Sequence, residues 1–250
     1  MTAAKVRKAK RVSKAVLKKL SLVSTPTITT QLMKNFGLNN MSLRDVLPID
    51  PSLGRFAGPA FTLRYVPVRE DMRPEQALDH PANLMTPIVE AIPAGAVMVM
   101  DANGDNDVGI LGGNILMRLK TRGIAAAVTD GGMRDIPEID VLGMPVCCTA
   151  YAPPPSFTKL MLVDSECAVT CGGVPIFPGD IIVGDDEGTV AIPAEYAAAV
   201  ADAGLAQDHM EGWVNRRLAK GDPMPGLYPP NEKARAEYDK WVAAGEPDEV

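Results

Sequence analysis

With 250 residues, 46% of them hydrophobic and 22% charged, and a mean hydropathy of +0.03, the chain can bury a sizeable core, which excludes disorder throughout. A net charge of −6 argues against a general nucleic-acid binder, because neutralising phosphates takes a clustered positive surface. No run of about 18 apolar residues is available to span a membrane. The first residues also lack the continuous apolar core of a secretory signal, so the expected address is the cytoplasm.

Positive charge gathers in the first twenty residues at Lys5, Arg7, Lys8, Lys10, Arg11, Lys14, Lys18 and Lys19, with Val12, Val16, Leu17 and Leu20 at helical spacing. The pattern predicts an amphipathic helix whose basic face is either simply solvated or an arm that touches RNA or a membrane. Ser24, Thr25 and Pro26 open a short helix through Gln31, Leu32 and Phe36 that ends near Gly37 and Asn39. Residues 54 to 68 read as a glycine-punctuated strand, and residues 69 to 82 as a polar loop. Apolar residues recur at helical intervals from Pro87 to Ile92. The continuous run Ala96-Val97-Met98-Val99-Met100 then predicts a buried strand.

Polar turn residues fill positions 101 to 107, and Gly109, Gly112 and Gly113 follow, leading into a helix from Asn114 to Arg122 that Gly123 closes. Asn114 can serve as its N-cap. Ile124 to Thr129 form a second buried strand, so residues 96 to 129 make a β-loop-α-β unit. Short apolar segments between 144 and 192 predict a small β-rich layer. Two helices are expected at 194 to 218 and 232 to 244, separated by a Pro/Gly-rich connector at 221 to 230 that cannot be helical. The four cysteines, Cys147, Cys148, Cys167 and Cys171, match no zinc spacing and read as reduced core residues.

Chemistry concentrates after the second buried strand, in Asp130-Gly131-Gly132-Met133-Arg134-Asp135. The end of a buried strand is rigidly held yet reaches solvent, and α/β proteins place sites there. Arg134 offers a planar fork for a carboxylate, and Asp135 a hard oxygen ligand of the kind Mg²⁺ or Mn²⁺ prefers. The same two residues could equally be an ion pair flanking a turn. The glycine loop before Asn114 leads into a helix N-terminus, where free amides and the helix dipole favour an anion. Its spacing fits neither a dinucleotide fingerprint nor a P-loop, but the two loops should lie side by side, since they follow the two strands of one unit. Only two histidines, His80 and His209, are present, and neither sits in a zinc-hydrolase motif; Ser156 lacks a nucleophile elbow. Asp185-Asp186-Glu187 before Gly188 reads as a solvated hairpin turn.

Gly112-Gly113-Asn114-Ile115-Leu116, Arg122-Gly123 and Asp130-Gly131-Gly132-Met133-Arg134-Asp135 together resemble the RraA-like family, which includes 4-hydroxy-4-methyl-2-oxoglutarate aldolases and regulators of ribonuclease E activity. Gly58-Pro59-Ala60-Phe61-Thr62 and residues 178 to 188 also look like its recurrent segments, so the resemblance spans about residues 15 to 195. It implies an α/β chain of the swivelling β/β/α type, a single domain at 21 to 195 with a basic helical extension at 1 to 20 and a helical extension at 196 to 250. It further implies homotrimers or hexamers with sites between subunits, Mg²⁺ or Mn²⁺ on Asp135, and a small 2-keto acid substrate held by Arg134 and by backbone amides near Gly112, Gly113, Asn114, Ile115 and Leu116. The activity implied is a metal-dependent lyase, cleaving by retro-aldol reaction or decarboxylation through an enolate. The alternatives are a non-catalytic regulator of an RNA-processing enzyme and a sugar-acid dehydratase or decarboxylase using the same site. No nucleic-acid or membrane partner is implied for the enzyme. Aldolase members often carry an acidic residue that aligns near Gly113 or Asn114; this chain has none at either position, and Asp105 and Asp107 lie a few residues upstream.

Overall fold

The computed structural model describes residues 11–69, 71 and 83–247, so Lys5, Arg7, Lys8, Lys10, His80 and most of the expected polar loop lie outside the described residues. Helix α1 (Lys14–Leu20) is capped by the Ser13 side chain, and α2 (Thr25–Phe36) by Ser24, with Pro26 in its first turn and Gly37 in the left-handed conformation at its end. These are the start and stop signals that the sequence carries locally.

The strands β1 (Ser42–Leu43), β2 (Leu47–Pro48) and β3 (Phe56–Pro67) precede α3 (Met85–Ala91), and β4 (Val97–Asp101), α4 (Gly113–Thr121) and β5 (Ala126–Thr129) form the β-α-β unit. Then come β6 (Gly132–Met133), α5 (Ile136–Asp140), β7 (Val146–Cys148), β8 (Ala150–Tyr151), β9 (Leu160–Ser165) and the hairpin β10 (Val169–Cys171) and β11 (Val174–Ile176). A second hairpin, β12 (Ile181–Asp185) and β13 (Gly188–Ile192), leads to the helices α6 (Ala197–Ala219) and α7 (Glu232–Ala243). The main sheet runs β1-β13-β12-β3-β4-β5-β7-β2, with β9 also paired to β3. Its centre, β3-β4-β5-β7, is parallel, and its flanks are antiparallel.

Burial on both faces explains the uninterrupted apolar runs in the central strands. In β4, Met98 and Met100 point into the core under α3 and α4, whereas Val97 and Val99 point into the core shared with the β10-β11 hairpin. Ala127 and the pair Ala126 and Val128 divide in the same way in β5. A third cluster joins α1, α2 and α6 to β12 and β13 through Leu20, Ile28, Leu32, Val183 and Val200.

Three local expectations change. The β-rich stretch is no separate layer, because β7 and the β12-β13 hairpin extend the main sheet towards opposite ends, while β10-β11 and the short β6-β8 pair stand apart. Asp185 is no solvated turn residue. It is 3% exposed and accepts hydrogen bonds from the Thr25 backbone N–H at 2.8 Å and the Thr25 hydroxyl at 2.7 Å, tying α2 to the sheet. The N-cap of α4 is Gly112, not Asn114, which lies inside the helix, and the reason is found in the neighbouring loop described below. All four cysteines are free, with Cys147, Cys148 and Cys171 buried as core fillers. Among the described residues no helix is long and apolar enough to cross a membrane.

Candidate functional site

Beyond the C-terminal ends of β4 and β5, residues 102 to 112 and 130 to 135 are joined main chain to main chain. Ile110 N–H donates to the Gly132 carbonyl at 2.9 Å, Arg134 N–H to the Leu111 carbonyl at 3.3 Å, and Gly132 N–H to the Asp105 carbonyl at 3.3 Å. The approach requires glycine. A methyl group on Gly131 would overlap Ala102 Cβ, and one on Gly132 would come within 2.7 Å of the Val108 carbonyl oxygen. Asp130, at the root of the second loop, is buried, and its carboxylate accepts from the amides of Ala102 at 2.8 Å and Gly172 at 3.4 Å. Burial, with Asp101 nearby, pushes its pKa up in spite of those bonds. Asp130 is therefore a brace for the two loops.

Arg134 and Asp135 lie across the glycine loop. A methyl group on Gly109 would stand 2.6 Å from Arg134 Cβ, and one on Gly112 would overlap Asp135 Oδ2. The backbone of Asp135 is left-handed, with φ 61° and ψ 41°, an uncommon conformation for a residue other than glycine and one that aspartate tolerates better than most. This twist sends its carboxylate back to α4, where Oδ2 accepts from the Gly113 amide at 3.1 Å. The carboxylate thus does the capping work expected of Asn114, which is why Gly112 can occupy the N-cap position with no side-chain bond of its own. Oδ1 accepts from Arg134 Nε at 3.3 Å, and both side chains are about one-third exposed.

The pair faces a cavity of about 240 Å³. Gly112, Asn114, Ile115, Arg134 and Asp135 line it together with Gly109, residues from α3 and its approach, and Leu160 and Leu162 of β9. Leu116 is placed elsewhere: its side chain is fully buried in the core and its amide donates to the Gly112 carbonyl at 3.2 Å. Gly113 is not among the lining residues, and its amide is used by Asp135. By helix geometry the amides of Asn114 and Ile115 are the first-turn donors left for a ligand.

Neither Asp105 nor Asp107 lines the cavity, and Asp107 is ion-paired with Lys159. A residue that sequence reasoning passed over lies closer. The Glu138 carboxylate occupies the space that a side chain on Gly113 would fill. Among the described residues no group of three or more His, Cys, Asp or Glu side chains could enclose a metal ion. The donor chemistry present nevertheless fits Mg²⁺ or Mn²⁺. Each Asp135 oxygen spends one lone pair on the bonds above and keeps another, and Mg²⁺ is ordinarily held by one or two carboxylates with water and substrate completing its shell.

Comparison with known proteins agrees with this fold. A family model described as RraA-like, Aldolase/RraA, matches residues 22–191. The protein DlpA of Legionella pneumophila is 26% identical over 233 residues, covering 88% of this chain and 35% of its own length. A protein of Halalkalibacterium halodurans provisionally named a 4-hydroxy-4-methyl-2-oxoglutarate aldolase is 43% identical over 104 residues, covering 42% of this chain and 49% of that one. The match therefore spans about a third to a half of these curated relatives. Among solved structures, RraAS2 of Streptomyces coelicolor, described as an unusual member of the RNase ES inhibitor RraA protein family, superposes with a TM-score of 0.75 at 29% identity, covering 83% of this chain and all of that one.

Proposed function

The chain belongs to the RraA-like family, and on that premise we propose that it is a divalent-metal-dependent lyase that breaks the C3–C4 bond of a pyruvyl or 2-keto acid, such as 4-hydroxy-4-methyl-2-oxoglutarate or oxaloacetate. The observation that carries this reading is the seating of Arg134 and Asp135 on Gly109 and Gly112 at the edge of the cavity, with the first turn of α4 beside them. A strained aspartate, a guanidinium and free helix amides at one place suit a small acid with adjacent carboxylate and ketone oxygens.

In this role Arg134 and the amides of Asn114 and Ile115 hold the substrate carboxylate and fix the plane of the keto acid. Asp135 would hold the cation, which when bound would supply Lewis-acid charge. For a 4-hydroxy-2-keto acid, the C4 hydroxyl gives up its proton to solvent water and becomes a carbonyl as the C3–C4 bond breaks. The bonding pair passes through C3 to the C2 oxygen, and C3 then takes a proton from solvent water, so that pyruvate and a carbonyl compound leave. For oxaloacetate the same pair is released as CO₂ departs. Arg134 steadies the negative charge that builds on the pyruvyl oxygens in either case. Glu138, whose carboxylate stands outside the cavity lining where a side chain on Gly113 would be, is the residue we offer in place of the absent loop acid.

The test is pyruvate release from both substrates by Arg134→Ala and Asp135→Ala, with Mg²⁺ or Mn²⁺ and again with excess chelator. Each variant should lose about 10²–10³-fold in kcat/KM, and chelator should abolish wild-type release. Undiminished metal-dependent release in either variant overturns the assignment. Absence of release by folded wild-type protein would favour the regulatory reading, to which the name of the Streptomyces relative lends support.

A further inference from the structure

Tyr65 belongs to β3 and pairs with Leu162 of β9 just after a register shift. It is 4% exposed, it lines the cavity, and its hydroxyl has no hydrogen-bond partner among the described residues. Burial pushes the phenol pKa far above its usual range, so the group stays protonated and able to donate. A buried tyrosine hydroxyl normally finds a partner, and leaving one unsatisfied costs stability. Phenylalanine would fill the same space without that cost.

The cavity around it is apolar on one side. Leu84, Met85, Phe157, Leu160 and Leu162 contribute hydrocarbon, and Arg134 is the one cation among the described lining residues. The Asn83 side-chain carbonyl already accepts from the Met85 amide at 2.9 Å. A ligand anchored at Arg134 and Asp135 therefore extends over hydrocarbon towards the Tyr65 phenol.

We propose that Tyr65 is a specificity residue, and that its hydroxyl donates a hydrogen bond to a hydroxyl or carbonyl oxygen in the distal half of the 2-keto acid. The proposal rests on the reading of Arg134 and Asp135 given above and adds a contact to the other half of the substrate.

The experiment measures affinities by calorimetry, with Mg²⁺ present throughout, for wild type, Tyr65→Phe and Arg134→Ala. The probes are oxalate, which reaches only the keto-acid end, 2-oxopentanoate and 2,4-dioxopentanoate. Tyr65→Phe should weaken 2,4-dioxopentanoate about tenfold, change oxalate and 2-oxopentanoate less than about twofold, and leave the melting temperature no lower than that of wild type. An equal loss for all probes, or no loss for 2,4-dioxopentanoate, overturns the inference, while oxalate binding that depends on Arg134 leaves the lyase reading standing. Failure of wild type to bind oxalate, or unaltered oxalate binding by Arg134→Ala, refutes the lyase reading and the inference with it.

Discussion

In the seam between residues 102–112 and 130–135 the contacts run from main chain to main chain and through glycines, with no room for an added methyl group at Gly109, Gly112, Gly131 or Gly132. At the far end of α6 the opposite holds. Trp213, Val214, Leu227, Ala234 and Trp241 form a small core of their own, with Arg217 over the Trp213 ring, Arg216 over the Trp241 ring, and the Tyr238 hydroxyl 2.7 Å from His209 Nδ1. Large side chains bury much area but tolerate small shifts, whereas glycine seams bury little and fix positions closely. The first region is built for geometry and the second for stability, and substitutions in each should separate the two quantities.

The largest effect is expected in the helical hairpin. Trp213 is 1% exposed, and Trp213→Ala removes the centre of its cluster, so the stability measured by urea unfolding should fall by about 3–5 kcal/mol. Pyruvate release per folded molecule should stay within about twofold of wild type. A matching loss of turnover in protein shown to be folded would mean that the hairpin helps to shape the cavity, and the contrast between the regions would break.

Gly112→Ala should do the reverse. With φ −122° the backbone accepts alanine, so the stability cost should be no more than that of a lost helix cap, about 1 kcal/mol, yet the new methyl group displaces the Asp135 carboxylate. Misplacing a group that orients the substrate by about 1 Å costs about 100-fold in rate, or about 2.7 kcal/mol of transition-state stabilisation. Steady-state kinetics beside a melting curve reads both quantities. Wild-type kcat/KM in this variant would show that the carboxylate does its work from some other position.

The same contrast explains what the sequence made legible. The β4-α4-β5 unit announced itself because apolar runs, a helical period and Gly123 are local signals, and the two loops had to be neighbours once the unit was recognised. Arg134 and Asp135 stood out through their position after a buried strand. Tyr65 did not, because the cavity it lines is completed by Leu160 and Leu162 from a strand far later in the chain, and its missing partner is a property of three-dimensional packing. Glu138 was hidden for a related reason: α5 is only five residues long, too short for a periodic pattern, and its carboxylate meets Gly113 through the loop crossing. Asp185 looked like one of three acids in a solvated turn. Nothing near it in sequence announced that Thr25 would bring two donors to it.

Where the sheet hands over to the helical tail, a last substitution sharpens the comparison by a smaller amount. Asp180 precedes β12, and its carboxylate accepts from the Phe177 amide at 2.9 Å. Burial, only partly offset by backbone hydrogen bonds from Phe177 and Ala194 and reinforced by the charge of Glu195, pushes its pKa up to about 6. Between the ordinary carboxylate range near 4 and about 6 the folded protein binds more protons here than the unfolded chain does, so stability falls as pH rises through that window and levels off above it. Asp180→Asn keeps an oxygen to accept from Phe177 and removes the charge. It should raise stability at pH 7.5 by about 1 kcal/mol once solvent screening is allowed for, and by much less at pH 4. Urea unfolding of both proteins at the two pH values isolates the effect, since the remaining titrating groups are common to both. A gain confined to low pH would mean that the ionised carboxylate stabilises this junction, which would make it a built electrostatic contact between sheet and tail in place of a strained one.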